Sequence, residues 1–198
     1  MHGLINKSVE RFVRDTYGRD VWVGVTRRLD LGFTEFEALL TYDPDITQLV
    51  LDEVAQTLAK ARSEVLEDIG TYLVSHPSFE ALRRLLRFGG VTFVEFLQSL
   101  DDLPERTRLA LSDFDLPRLE LSEHSNDFYT LTVYTGDTEL AQFGYVVVGL
   151  LRAMADDYGA LVLLEHKGVR GGTEIVEIHL LEMAFADGRA FDLGARAR

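Results

Sequence analysis

The side chains of this 198-residue chain best suited to metal or proton chemistry are five histidines, His2, His76, His124, His166 and His179. Imidazole is the commonest nitrogen ligand and changes charge near neutral pH. Their spacing does not build a metal site. His166 and His179, with Glu165 and Glu177, are placed to face each other across a hairpin, but nothing supplies a third ligand. His179-x-x-Glu182 has a metal-ligand spacing only on a helix, and it falls in a strand pattern. His124 lies in the polar run Glu123-His124-Ser125-Asn126, a solvated loop. His76 precedes Pro77 at the end of a helical stretch, where a cation suits the helix dipole. The carboxylate pairs Asp43-Pro44-Asp45 and Asp101-Asp102 read as turn and cap chemistry. Gly89-Gly90, Gly144 with Gly149, and Gly171-Gly172 lack the spacing of a phosphate-binding loop. Cysteine is absent, which excludes thiol catalysis, disulfides, Cys-ligated zinc and iron–sulfur clusters. No catalytic constellation results, and the chain is expected not to be an enzyme.

The elements that would position these residues change character along the chain. Ile5, Val9, Phe12 and Val13 recur at helical spacing, with Lys7, Glu10, Arg11 and Arg14 on the other face, and Tyr17-Gly18 is a helix stop. Further helical stretches cover about 20–30, 47–60 and 64–74. Pro77 interrupts, and a short helix follows through Arg87. Thr92-x-x-Glu95 is a capping box that opens a helix carrying Phe93, Phe96, Leu97 and Leu100 on one face. After Pro104 the pattern turns to alternation. Leu119 and Leu121 mark one strand, and Tyr129, Leu131 and Val133 a second. A helix from about Asp137 to Tyr158 buries Leu140, Phe143, Val147, Leu151 and Met154. Residues 160–166 and 173–182 form a hairpin around Gly168–Gly172, with Val176, Ile178 and Leu180 on one face and Glu177 and His179 on the other. The tail from Ala186 is expected to fray. The fold class is α+β: a helical first half, then antiparallel strands with packed helices.

Hydrophobic residues make up 46% and charged residues 27%, the balance of a globular chain. Against 33 acidic residues there are only 20 basic ones, a net charge of −13. Such a surface repels phosphate, so neither nucleic acid nor an anionic membrane is an expected partner. The opening MHGLINKSVERFVRDTYG lacks a basic region followed by an apolar run, and no stretch is apolar enough to span a bilayer. A cytoplasmic location is expected.

Several separated words share one order and spacing with a known family. These are Met1-x-Gly3 through Tyr17-Gly18, Phe96-Leu97-Gln98-Ser99-Leu100-Asp101-Asp102-Leu103, Pro117, and Tyr134–Leu140 followed by the long apolar helix. In this the chain resembles the H-NOX (haem–nitric oxide/oxygen binding) family, which includes the sensor domain of soluble guanylate cyclase. The likeness runs from Met1 to about Glu182. It implies one H-NOX-like domain over 1–185, with a helical subdomain of about 1–60, a haem-pocket-type subdomain of about 61–185, and a tail at 186–198.

The resemblance also says where this chain departs. The family's axial histidine follows the Leu-Asp-x-Leu word, and here that position is Pro104, which has no side-chain lone pair and would kink or restart the helix. The family's propionate-holding Tyr-x-Ser-x-Arg reads Val133, Thr135 and Asp137 at its three specified positions. An aspartate opposes a propionate that an arginine would clamp. Between Asp101 and Glu139 there are ten acidic and three basic residues, a net of −7. Pro117 matches the proline pressed against the haem, and Ile5 and Val9 match the distal wall. The resemblance therefore implies a stand-alone sensor or signalling protein whose pocket does not hold haem in the family manner. It would act through a partner such as a histidine kinase or a cyclic-nucleotide enzyme. No cofactor is expected. The alternative is a haem-based gas sensor in which haem b uses a replacement ligand such as His76, or His2 at the start of the chain.

Overall fold

The computed structural model describes residues 2–110, 115–136 and 142–189. The chain divides into two compact units, Met1–Ile69 and Gly70–Arg198. Each is described in turn.

The first unit begins with α1 (Gly3–Tyr17) and α2 (Arg19–Arg28). Gly18 joins them at φ +100°, a conformation that side chains disfavour, so the stop read at Tyr17-Gly18 is a sharp backbone turn. Then come α3 (Pro44–Leu58) and the start of α4 (Arg62–Ser75). Asp43 caps α3 by accepting from Asp45 N at 3.0 Å, with Pro44 in the first turn. Trp22, Val25, Phe36, Val50 and Val54 are buried in this unit. The indole N–H of Trp22 donates to Thr34 O at 2.7 Å, so the largest side chain carries no unmet donor. Glu10 departs from the helical pattern. It was expected on the polar face of α1, yet its side chain is fully buried. There it accepts from Phe36 N at 2.7 Å, Arg14 at 2.7 Å and Lys7 at 3.0 Å. A buried carboxylate is tolerable because every one of these donors reaches it.

The second unit packs helices on one face of a sheet. A 3-10 turn over Pro77–Phe79 leads into α5 (Glu80–Arg87), and α6 (Phe93–Gln98) follows the Gly89-Gly90 turn. The capping box forms: Glu95 N donates to Thr92 Oγ1 at 3.2 Å, and Thr92 N donates to the Glu95 carboxylate at 3.1 Å. A 3-10 turn over Leu100–Asp102 and α7 (Leu103–Ala110) complete this helical layer. The strands are β1 (Arg118–Ser125), β2 (Phe128–Tyr134), β3 (Leu161–Arg170) and β4 (Thr173–Glu182), all antiparallel in the order β1-β2-β4-β3. Between β2 and β3 runs α8 (Phe143–Tyr158). Its stripe of Val147, Leu151 and Met154 meets Leu131, Val176, Ile178, Phe96 and Leu100 in one contiguous core.

Three expectations need correction here. α8 starts at Phe143, because Gln142 has φ +73° and cannot be a helical residue, while 137–141 lie outside the described residues. The hairpin turn is only Gly171-Gly172, both at positive φ as a tight hairpin turn requires, and β3 runs on to Arg170 through an irregularity near Gly168. The start of the tail, through Arg189, is held in place. Phe185 N and Ala186 N donate to Gly159 O, and Arg189 N donates to Asp157 O, so the chain past β4 is tied to the end of α8.

Candidate functional site

The segment that resembles the family's haem-ligand helix is fastened to its neighbours by hydrogen bonds and core packing. α6 ends at Gln98, and Pro104 is the second residue of α7. First-turn amides of a helix have no intrahelical acceptor, so a residue lacking an N–H is suited to this place. The proline thus restarts the helix, as its chemistry requires. The buried Leu103 beside it belongs to the same core as Val133 and Leu119. Asp101 accepts from Leu121 N at 2.8 Å and so fastens this segment to the edge of β1. Arg106 donates to Ser99 O at 2.8 Å and to Leu85 O at 3.4 Å, bridging the turn to α5. Pro117 is buried just before β1.

At the far end of β2 the register decides which side chains meet. Val133 is fully buried and lies directly opposite Glu174 of β4. Side chains of directly opposed residues point to the same face. Glu174 therefore points inward, and it is fully buried. His166 of β3 reaches it diagonally, with His166 Nε2 2.7 Å from Glu174 Oε2. Gly168 N donates to His166 Nδ1 at 3.2 Å, so the network assigns the imidazole proton to Nε2, which donates to the carboxylate. Gly144 N, in the first turn of α8, donates to the same oxygen at 3.1 Å. A Cβ on Gly144 would stand 2.6 Å from Glu174 Oε2 and 2.7 Å from His166 Nε2, so only glycine lets the helix approach. Tyr145 stacks on the His166 ring at 3.9 Å. Glu174 Oε1 receives no hydrogen bond from the described residues. Thr135 is buried and its hydroxyl donates to Gly172 O at 3.3 Å, while Gly136 N donates to the same carbonyl at 2.8 Å.

The sequence-predicted positions thus distribute unevenly. Val133 and Thr135 stand together at this end of the sheet, with Pro104 and Pro117 in the same unit. Asp137 lies outside the described residues. Ile5 is half-buried and Val9 buried, both on α1 of the first unit. His76 caps the 3-10 turn after α4: its Nδ1 accepts from Ser78 N at 3.3 Å and its ring packs on Tyr72 at 4.8 Å. It serves there as a cap on the 3-10 turn. His166 and His179 do not face each other. His166 pairs with Val176 on the inner face, whereas His179 pairs with Leu163 on the outer face and stacks on Phe128 at 4.5 Å.

Neither Glu174 nor a further buried carboxylate, Asp157, stood out in the sequence. Asp157, near the end of α8, accepts a fork of hydrogen bonds from Arg83 of α5, one of them at 3.1 Å. Beside it Arg87 lies 3.9 Å above the Tyr158 ring, and Tyr158 donates to Gly90 O at 2.8 Å. Burial pushes the Tyr158 phenol above its ordinary range. This cluster joins α5 to α8. Among the described residues no group of three histidine or carboxylate side chains could hold a metal ion, and no helix is long and apolar enough to cross a membrane.

Comparison with known proteins shows what the chain as a whole is similar to. Soluble guanylate cyclase 89Db of Drosophila melanogaster is 24% identical over 182 residues, 87% of this chain but 26% of that protein. Soluble guanylate cyclase gcy-35 of Caenorhabditis elegans is 30% identical over 105 residues, 52% of this chain and 15% of its own length. The chain therefore spans about a quarter or less of the curated relatives it matches. An H-NOX protein from S. oneidensis in the Fe(II)NO state superposes with a TM-score of 0.74 at 17% identity, covering 92% of this chain and all of that one. A mutant T. tengcongensis H-NOX superposes at 0.72 and 18% identity, covering 93% of this chain and all of that one. These structures show a common fold. The sequence model of the Haem-NO-binding family matches residues 2–166, and the chain belongs to that H-NOX family of sensor domains.

Proposed function

We propose that this chain is an H-NOX sensor or signalling module that does not hold haem in the family manner and that acts through a partner protein. The observation that carries the reading is Pro104. It stands at the position of the family's axial histidine, seated in the first turn of α7, and it offers iron no lone pair. The surroundings support the same reading. Where the family motif has a tyrosine for a propionate, this chain has the buried apolar Val133, and directly across from it the buried carboxylate of Glu174. The threonine that replaces the motif's serine spends its hydroxyl on a backbone carbonyl. Haem brings two carboxylates and one open iron, and the described residues at these positions match neither need. Leu103 and Val133 belong to one continuous core, which favours a region filled by side chains.

The partner is proposed to be a cyclic-nucleotide enzyme or a histidine kinase. The likeness to soluble guanylate cyclases supports the first, since the matched region is a part of those longer proteins. A hemin titration of the purified chain, read by absorbance across the Soret region, tests the cofactor half of the proposal. A weak, non-saturating rise is the expected result. Saturation at one haem per chain with a sharp band that answers to nitric oxide would overturn it.

A further inference from the structure

The burial of Glu174 is costly unless its carboxyl group is compensated. A fully buried carboxylate must recover several kcal/mol of lost hydration through hydrogen bonds and favourable dipoles. It recovers them from three sources. His166 Nε2–H and Gly144 N–H both donate to Oε2, and the sixteen-residue α8 presents the positive end of its dipole at that point. Two donors and a helix N-terminus turned inward make a seat for an anion. The seat lies across the ladder from Val133, the first position of the motif that in the family holds propionate. Its floor is built for close approach, because Gly144 has no room for a Cβ.

We propose that Glu174 is a resident anion. Its carboxylate occupies the seat at the start of α8 that a carboxylate-bearing cofactor would otherwise fill, so this part of the protein is closed to such ligands by charge as well as by shape. The assignment rests on the reading that the chain does not hold haem in the family manner. It goes further by naming the group that takes the cofactor's place and the chemical class that is shut out. Oε1 is buried and receives no hydrogen bond from the described residues, so a second carboxylate brought here would meet a carboxylate oxygen rather than a donor.

Two experiments on the full chain decide the assignment. In the first, Glu174→Ala empties the seat, and thermal unfolding is followed in sodium acetate against sodium chloride of equal ionic strength. Acetate is expected to raise the midpoint of the variant by about 2–4 °C over chloride and to leave the parent chain unmoved. Equal responses of the two proteins overturn the assignment. The second serves where Glu174→Ala does not fold. Pro104→His, Val133→Tyr and Asp137→Arg are combined, with and without Glu174→Gln, and titrated with hemin. The set with Glu174→Gln is expected to bind hemin about tenfold more tightly or better. Equal affinity, or no binding by either set, overturns the assignment. The parent chain titrated alongside separates the two readings. If it saturates with one hemin, the proposed function fails, and the acetate response still decides whether Glu174 fills an anion seat.

Discussion

Single buried residues carry chemistry that can be weighed one at a time. Glu10 shows how much one buried carboxylate can hold. Its partners Lys7 and Arg14 are partly exposed, so their attraction is screened, and the heavier contribution is the buried N–H of Phe36 that would be left unmet. Glu10→Ala is expected to cost about 2–3 kcal/mol. Glu10→Gln should cost less, because the amide oxygen still accepts from Phe36 N. Urea midpoints at unchanged slope measure both, and equal costs would place the stabilisation in the charge instead. Part of the site was legible at this scale. Pro104, Val133 and Thr135 stand out in the sequence only through the resemblance, and the structure brings Val133 and Thr135 together at one end of the sheet. Glu174 was not found. The same alternation that put Val176, Ile178 and Leu180 inward also puts Glu174 inward when carried one step back. A carboxylate on an apolar face is the sign that was passed over. Glu10 was misread for the converse reason: helical periodicity assigns a face by polarity, and only the Phe36 amide, 26 residues away, makes that face an interior.

At the scale of elements, local sequence governs where helices begin, and this gives a pH dependence with a definite sign. The amides of Val91 and Thr92 donate to the Glu95 carboxylate and hold it below its ordinary range. A group depressed in the folded state contributes stability above its unfolded value and loses it as pH falls. The capping box should therefore weaken from about pH 4.3 downward. Glu95→Gln should flatten that part of the stability curve, and an unchanged curve would refute the assignment. Thr92→Ala is expected to cost about 1 kcal/mol at neutral pH, measured by thermal or urea unfolding. The helices and strands themselves were legible, because apolar residues at 3.6 and 2 residue periods leave little choice of which face is buried. Two features were not. A hairpin read from glycines alone gave too wide a turn and the wrong facing of His166. The register shift between His166 and Val169 inserts one residue into β3, so pairs counted outward from the turn land on the wrong face. The start of α8 was misplaced because Gln142 adopts a left-handed conformation that a non-glycine residue does not announce.

For the whole molecule, the governing quantity is the net charge of −13. Two electrostatic effects oppose each other when salt is added. Ion pairs such as Arg62–Asp52 at 2.6 Å and Arg108–Asp115 at 2.9 Å lose attraction, but exposed pairs contribute only about 0–1 kcal/mol each. The unpaired acidic excess repels itself over longer distances, and that repulsion is what screening removes most completely. The screening length falls from about 30 Å at 0.01 M to about 8 Å at 0.15 M. Repulsion between charges tens of ångströms apart nearly vanishes over that range, while contact pairs are only weakened. The thermal midpoint is therefore expected to rise with sodium chloride from about 10 to about 150 mM. Calorimetry checks it, and a midpoint that falls would mean that short-range pairs outweigh the excess. The same excess fixes the sign of a second salt dependence. The partner proposed above is expected to present a basic surface to so acidic a protein, and its association should slow as salt is added. Opposite salt slopes, upward for folding and downward for association, follow from one charge distribution. Parallel slopes would show that the partner recognises this domain through something other than its charge.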